Sequence, residues 1–343
     1  RPHRLLRLHR LLRPHRLLRL HRLFFLLVMN LLIVVQLRAS ENQEPLFFPW
    51  GRGEGELAAN FDVEEAVTRF KGPSSFCIDS GGRICILDAL EPCIEVYDKN
   101  GKHLSRYPLP VVDEEDQPLT YSDIASDNQG ALYVLETNHG SIIETGPIQK
   151  KAKVLPVPGL ASFHMLTTMA RMKDGTFLVY EALSGNIIVI SQNGRLLNCF
   201  KEPSLKALIL DDRGFVLGIR RPRPRLILLL AFEAKSARGK ILKKFRLKRN
   251  DSALFVRGYD GQGTVYLERS RQSKKARGGE EHQLILWSKA KGVTVGPKLG
   301  RCGFEKSMTR TLRVQKEGTI ARSKYLSEGF ELRLYEPQRS MQR

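Results

Sequence analysis

Short apolar runs recur along the chain in pairs, and a turn that carries glycine accompanies each pair. The first run of each pair, with its turn, lies at 79–87, 127–135, 173–180, 211–219, 260–268 and 316–323. The second run lies at 94–98, 141–145, 187–191, 226–230, 284–288 and 331–335. Six units of roughly 40–50 residues, each built from short strands, predict the blades of a propeller.

The clearest unit, residues 76–108, shows how one blade is built. Its first two apolar runs are joined by a turn from Asp79 to Gly82, and its third run ends in Asn100-Gly101. Asp bonds its own backbone two residues on and Gly accepts a positive φ, so both segments favour hairpins. The unit therefore predicts four antiparallel strands. A single blade cannot bury both of its faces, so the blades must stack around an axis.

The last unit has apolar runs for only three strands, because a short polar tail follows Tyr335. The segment 45–51 (PLFFPWG) has strand character and no partner nearby in the sequence. It is predicted to be the missing outer strand of blade six, which would leave few unpaired edges. The expected fold is all-β: a six-bladed β-propeller of four-stranded antiparallel blades, with its ring closed by an N-terminal strand.

Residues 50–104 resemble an NHL-type repeat. The matching positions are Gly72, Pro73, Asp79, Gly82, Ile84, Asp88, Ile94, Val96 and Asp98. The match is good over about one blade, partial at 162–197 and faint elsewhere. The resemblance implies a six-bladed propeller that is usually a binding scaffold and in a minority of relatives an enzyme. Two features depart from the pattern: blades four and five carry basic insertions, and few later blades keep the second Asp.

The N-terminal region differs in composition from the rest. Residues 1–22 hold eight arginines in two near-identical copies of a low-complexity Arg/His/Leu repeat, which needs no packed core. Residues 23–37 are mostly apolar and are followed by Arg38-Ala39-Ser40. Segment 23–40 is therefore predicted to be a signal peptide or a membrane anchor. The propeller is assigned to residues 41–343, and the protein is expected to be exported (periplasmic, extracellular or cell-envelope) or membrane-anchored.

Charge is distributed unevenly along the chain. Residues 23–200 carry 14 basic and 22 acidic side chains, whereas residues 201–343 carry 34 basic and 14 acidic ones. The connections between the second and third strands of blades four and five hold most of the basic insertions. We expect an anionic partner to bind there, through Arg220, Arg221, Arg223, Arg225, Arg269, Arg271, Lys274, Lys275 and Arg277. Arg322 and Lys324 are expected to extend this rim into blade six, across the ring from the acidic segment 113–116.

Several partners fit such a rim. Anionic lipid headgroups, acidic polysaccharide or a protein suit an exported monomer, and residues 23–37 offer a membrane contact. Nucleic acid is disfavoured because aromatic side chains for base stacking are scarce in both insertions. The alternative is that the insertions are solubilising loops that bind nothing specific.

The residues give little support for catalysis, and no cofactor or metal is assigned. Outside the N-terminal repeat the histidines are His103, His139, His164 and His282, and they do not suggest a three-His site. Asp123, Glu136 and Asn138 could approach the channel, but their spacing is not that of metal ligands. The alternative function is a metal-dependent hydrolase or lyase with its site in the central channel.

Five cysteines are present, and Cys77 should face Cys85 across the first hairpin. Such a pair could form a disulfide in an exported protein. Buried free thiols that act as small core residues are the favoured interpretation.

Overall fold

The strands of the described residues form six four-stranded antiparallel sheets and one two-stranded pair. The computed structural model describes residues 44–62, 69–112, 117–147, 151–202, 205–210, 215–234, 236–272, 280–299, 312–314, 319–326 and 328–335. Residues 45–334 form one compact unit. A short 3-10 helix spans Leu160–Ser162.

From its first strand outwards, blade one consists of β4 (Pro73–Ile78), β5 (Ile84–Asp88), β6 (Cys93–Tyr97) and β7 (His103–Pro108). Blade two consists of β8 (Tyr121–Ser126), β9 (Leu132–Glu136), β10 (Ser141–Thr145) and β11 (Lys153–Pro156). Blade three consists of β12 (Leu166–Arg171), β13 (Phe177–Glu181), β14 (Asn186–Ile190) and β15 (Leu196–Lys201). Blade four consists of β16 (Leu205–Leu210), β17 (Phe215–Arg223), β18 (Leu226–Glu233) and β19 (Arg238–Arg246). Blade five consists of β20 (Asp251–Tyr259), β21 (Val265–Gln272), β22 (Glu280–Ser288) and β23 (Gly292–Lys298). Blade six consists of β24 (Leu312–Val314), β25 (Ile320–Tyr325), β26 (Gly329–Tyr335) and β1 (Leu46–Pro49). The two-stranded pair consists of β2 (Asn60–Asp62) and β3 (Arg69–Lys71).

The first strands of successive blades contact each other, from β4 through β8, β12, β16 and β20 to β24. These strands therefore surround the axis, and the fourth strand of each blade is outermost. The predicted six-bladed propeller of four-stranded antiparallel blades is confirmed. The pair formed by β2 and β3 was not anticipated.

The segment predicted to complete blade six contains β1, which pairs antiparallel with β26. Leu46 lies opposite Leu332 and Pro49 lies opposite Gly329. Phe48 is buried in a cluster that joins side chains of blade six to Phe76 and Tyr97 of blade one. The first and last blades are thus packed together through apolar side chains.

Both faces of most blades are buried, because each blade packs against its two neighbours. All five residues of β5 and all five of β9 are buried, whereas β7 on the outside alternates between half-buried and exposed positions. Apolar clusters fill the spaces between consecutive blades from one to five. This explains why the inner strands are nearly continuous apolar runs in the sequence.

Aspartates form the turns between strands, as the sequence predicts. Asp79 Oδ1 accepts hydrogen bonds from the N–H groups of Gly81 and Arg83, both at 2.9 Å. Gly82 takes a φ of 78°, which favours glycine. Cys77 lies opposite Cys85 on β4 and β5, and both thiols are free and buried.

Three segments that carry sequence predictions lie outside the described residues. They are the low-complexity repeat 1–22, the apolar segment 23–40 and the acidic segment 113–116. Among the residues that the structure does describe, no helix is both long and apolar enough to cross a bilayer.

The position of Phe48 predicts a strong effect of truncation on stability. Phe48 is 1% exposed, and its ring centroid lies 4.4 Å from that of Tyr97. Phe48→Ala should lower the free energy of unfolding by about 3 kcal/mol, because it removes a buried aromatic side chain and leaves a cavity. Urea denaturation measures the change. Phe47→Ala is the matched control, since Phe47 is 46% exposed on the same strand. Equal losses in the two variants would contradict the placement of β1.

Candidate functional site

The propeller has two faces that carry different connections. The connections between second and third strands open on one face together with the links between blades, and we call this the loop face. The turns between first and second strands and between third and fourth strands open on the opposite face, the turn face. The predicted basic residues belong to the loop face of blades four and five.

In blades one to three, a buried carboxylate closes the connection on the loop face. These residues are Asp88, Glu136 and Glu181, each at most 1% exposed and each six positions after the glycine of the preceding turn. Asp88 Oδ1 accepts the N–H of Leu90 at 3.0 Å, and Glu136 Oε1 accepts that of Asn138 at 2.7 Å. The carboxylate oxygens therefore satisfy backbone donors that a tight connection would otherwise leave unpaired.

Blades four and five carry an arginine at the same position. Arg220 and Arg269 follow Gly214 and Gly263 by six residues. Arg220 lies opposite Leu205, the first residue of β16, just as Glu136 lies opposite Tyr121, the first residue of β8. A guanidinium has no acceptor for a backbone N–H.

The strands of blade four continue beyond this position as a hairpin. β17 has nine residues and β18 has eight, compared with five in each of β5 and β6. Arg223 lies opposite Leu226 near the tip, and β16 has already ended at the level of Arg220. The hairpin therefore extends past the inner strand on the loop face.

Two of the predicted arginines at this hairpin have partners within the protein. Arg220 Nη2 lies 2.8 Å from Glu202 Oε2. Arg221 donates to the carbonyl oxygens of Pro224, at 3.0 Å from Nε, and of Ser252 in blade five, at 3.4 Å from Nη1. The charge of Arg221 is not neutralised by these carbonyls, so it still contributes to the local positive potential.

The remaining two arginines of the hairpin point to solvent. Arg223 and Arg225 are exposed. Within the described part of the chain, neither forms an ion pair. Among the predicted residues that the structure describes, they are the most available to an anionic partner.

The predicted residues of blade five are held differently. Asp251, whose side chain is 3% exposed, faces Arg269 at 3.9 Å and Arg271 at 3.2 Å. Arg269 also donates to the side-chain oxygen of Gln283, and its side chain is 16% exposed. The side chains of Arg269 and Arg271 therefore form ion pairs and hydrogen bonds within blade five. Lys274, Lys275 and Arg277 lie outside the described residues.

The prediction that Arg322 extends the basic rim into blade six is wrong. Arg322 is 7% exposed, because it lies inside the protein beside the buried Glu268 of blade five. The strands β25 and β26 are separated by residues 326–328 alone, so blade six has no long hairpin on the loop face.

Further basic residues that the sequence interpretation missed lie beside the hairpin of blade four. Arg246 at the end of β19 lies opposite Leu226, and the following link carries Lys248 and Arg249. All three are exposed. We define the basic surface of blade four by Arg221, Arg223, Arg225, Arg246, Lys248 and Arg249. Among the described residues, none of these six forms an ion pair. The dense basic run at 243–249 was the available signal.

A buried charge cluster lies between blades five and six. Glu268 Oε2 is 2.8 Å from Arg257 Nε, and its other oxygen is 2.5 Å from His282 Nδ1. Burial raises the pKa of Glu268, but the hydrogen bond with His282 and the charges of Arg257 and Arg322 outweigh it and lower that pKa to about 2. The cluster therefore holds an ionised carboxylate inside the protein.

The carboxylates considered for a channel metal have structural contacts instead. Asp123 accepts hydrogen bonds from Ser75 Oγ at 2.6 Å and from the N–H of Met169 at 2.7 Å, so it joins the inner strands of blades one, two and three. Asn138 donates to the carbonyl oxygen of Pro118. Across the described residues, no group of three His, Cys, Asp or Glu side chains is placed to hold a metal ion.

The histidines are dispersed. His164 is exposed ahead of β12. His103 lies on the outside of blade one between Glu54, at 3.5 Å, and Glu95, at 2.8 Å. His139 Nδ1 lies 3.7 Å from Glu136 Oε1 on the loop face, and His282 belongs to the cluster with Glu268.

Comparison with known proteins gives structural neighbours and no sequence family. No protein-family model and no curated protein matches the chain. A protein from Bacteroides fragilis that is inferred to be exported superposes with a TM-score of 0.52 at 8% identity, covering 85% of this chain and 94% of that one. Virginiamycin B lyase from Staphylococcus aureus gives a TM-score of 0.45 at 12% identity over 82% and 99% of the two chains. The propeller of Dos1 gives 0.46 at 8% identity over 82% and 83%.

Of these three likenesses, only the first exceeds a TM-score of 0.5, and at 8% identity it concerns the fold alone. The chain is therefore similar to proteins of the same architecture. The resemblance to NHL repeats stays a prediction.

The depressed pKa of Glu268 predicts an acid-sensitive contribution to stability. The carboxylate is stabilised in the folded protein, so this contribution is present above the unfolded pKa near 4.5 and is lost as pH falls towards 2. It amounts to on the order of 3 kcal/mol. Between pH 6 and pH 3, the free energy of unfolding should therefore fall more steeply for the wild type than for Glu268→Gln, as measured by urea denaturation. Glu233→Gln, at an exposed position, should keep the wild-type slope. Parallel curves for the wild type and Glu268→Gln would contradict the assignment.

Proposed function

We propose that the protein is an exported or membrane-anchored, non-catalytic binding scaffold that contacts an anionic surface through the basic surface of blade four. The partner is a polyanion of the cell envelope or exterior: acidic polysaccharide or anionic lipid headgroups. The observation that carries the proposal is the hairpin of β17 and β18, which presents Arg223 and Arg225 beyond the inner strand.

Protection of a sheet edge does not account for the whole basic surface. Lysines along an outer strand such as β19 prevent pairing with other sheets. Arg223 and Arg225, however, lie at the tip of a hairpin. Arg225 belongs to the turn between β17 and β18, which has no strand edge to protect, so its charge favours a role in binding.

The geometry suits a repetitive or extended polyanion. Six basic side chains come from the hairpin, the end of β19 and the link that follows it, so they are spread over a surface and do not converge in a pocket. Each basic residue near an anionic membrane contributes about 1 kcal/mol, and the attraction is screened within a Debye length. Binding should therefore need several charges together and should weaken with added salt.

The expected location is consistent with this partner. The basic lead and the apolar run at 23–37 have the features of an export signal or anchor. Acidic polysaccharides and lipid headgroups are accessible to an exported protein.

Charge reversal at the hairpin tip tests the proposal. Arg223→Glu/Arg225→Glu should weaken binding by about tenfold or more, because two attractive contacts become repulsive. The probes are vesicles containing 30 mol% of an anionic lipid, and heparin as a soluble polyanion. Binding is measured by vesicle sedimentation and by calorimetry at two salt concentrations.

The control has the same change in net charge on the turn face of the neighbouring blade. Lys289→Glu/Lys291→Glu alters two exposed lysines between β22 and β23 and should bind as the wild type does. A preference for vesicles would identify lipid as the partner, and a preference for heparin would identify polysaccharide. Equal losses in the two variants, or none in either, would overturn the proposal.

A further inference from the structure

A polar pocket opens on the turn face between blades two and three, on the side of the ring opposite to the loop face. Its volume is about 280 Å³. The pocket is bordered by the turn after β8 and by the end of β12 with its following turn. Its lining consists of Ser126, Asp127, Asn128, Gln129, Arg171, Met172, Lys173 and Gly175.

The guanidinium of Arg171 is held in a fixed position by two aromatic rings. Its central carbon lies 4.7 Å from the centroid of Tyr133 and 4.2 Å from that of Phe177. The two rings pack edge to face at 5.2 Å. Such contacts fix the plane of the guanidinium while leaving its N–H groups unused.

One nitrogen of Arg171 lacks an acceptor. Nη1 is buried, and no described residue accepts a hydrogen bond from it. Buried polar atoms are nearly always paired, so an orphaned donor on a charged group indicates a missing ligand, ion or water.

The carboxylate in the lining, that of Asp127, does not pair with Arg171. Asp127 Oδ1 accepts the N–H groups of Gln129 at 2.9 Å and Ala131 at 3.0 Å, and Oδ2 accepts the hydroxyl of Tyr133 at 3.0 Å. Asp127 is thus engaged by its own turn and by the ring that supports Arg171. Of the three charged residues in the lining, the two that remain are the cations Arg171 and Lys173.

An arginine of blade one, Arg83, shows a turn on the same face in which the positive charge is paired with a carboxylate. Arg83, in the equivalent turn of blade one, places Nε and Nη2 each 2.6 Å from Asp79 Oδ2. Arg171 has no such carboxylate among the described residues. The difference between the two turns is the absence of an internal anion at Arg171.

We propose that this pocket binds a small monocarboxylate, with its carboxylate on Arg171 and Lys173. A carboxylate has the planar geometry that a guanidinium binds with two parallel hydrogen bonds. Asp127 limits the net positive charge of the lining, which favours a monoanion over a phosphate dianion. Ser126, Asn128 and Gln129 supply hydroxyl and amide groups for the polar remainder of the ligand. The site is independent of the basic surface of blade four.

Titration with acetate and benzoate tests the site directly. In the full chain, the side-chain 15N–1H signals of Arg171 should shift in a saturable manner with either acid. Chloride at the same ionic strength should cause no such shift. The melting temperature should rise with carboxylate concentration beyond the rise in chloride, because a ligand that binds the folded state stabilises it.

Two substitutions at Arg171 keep the test informative. Arg171→Met should abolish the carboxylate-dependent rise in melting temperature. Arg171→Lys keeps the charge but loses the planar pair of donors, so its affinity should be about tenfold weaker than that of the wild type. Arg195→Met is the matched control, because Arg195 is exposed in the turn between β14 and β15 on the same face. Arg195→Met should respond as the wild type does.

Three outcomes would contradict the proposal that the pocket binds a carboxylate. If carboxylate and chloride have equal effects on the wild type, Nη1 is satisfied by water alone and the proposal is wrong. The proposal is also wrong if Arg171→Met keeps the carboxylate response, or if phosphate binds more tightly than the carboxylates. Should Arg171→Met fail to fold, Arg171→Lys and the 15N titration of the wild type decide.

Discussion

The fold depends on the requirement that every four-stranded sheet be covered on both faces. A blade such as β4–β7 has buried residues throughout β5 and β6, so it is stable only between two neighbours. Blade one packs on blade two through one apolar cluster and on blade six through another, which contains Phe48, Phe76 and Phe330. The two faces of the propeller, and the separation of the basic surface from the Arg171 pocket, follow from this arrangement.

In blades one to five, the residue type at one position varies together with the length of the connection on the loop face. In blades one to three this position holds a carboxylate that accepts backbone N–H groups, and the connection is short. In blades four and five it holds Arg220 and Arg269, which cannot accept such bonds, and the strands are longer. One change of residue type therefore accompanies two features, a positive charge and a projecting hairpin. Blade six carries Lys324 at this position and nevertheless has a short connection, so a basic residue alone does not produce a hairpin.

The fold was predictable because its signals are local and repeated. Turns such as Asp79 to Gly82 recur in the chain, and the spacing of apolar runs between them gives the number of blades. The candidate site was predictable only in part. Arg220 is paired with Glu202 of the preceding link, and Arg271 is paired with Asp251 of another strand. No pattern in the sequence indicates which acid reaches which arginine. The residue six positions after the turn glycine is acidic in blades one to three and basic in blades four and five, and this change is visible in the sequence. The position marks the loop face of each of these blades.

The Arg171 pocket could not be predicted from sequence. It depends on Tyr133 and Phe177 in two different blades, and these rings meet only when the blades stack. Arg171 and Arg83 both lie beside aspartate-bearing turns, yet one is paired with its aspartate and the other is not. The difference between the two arginines depends on the tertiary structure and not on the local sequence.

The pairing of β1 with β26 has a consequence for biosynthesis. Leu46 and its partner Leu332 are separated by nearly the whole propeller, so the first of the described strands to be synthesised pairs with the last one. Closing so long a loop is slow compared with forming a hairpin within one blade. Until the final blade emerges from the ribosome, Phe48 has no completed sheet to join. Blade six therefore stays incomplete until β26 has been synthesised, although the hairpins of the earlier blades can already form.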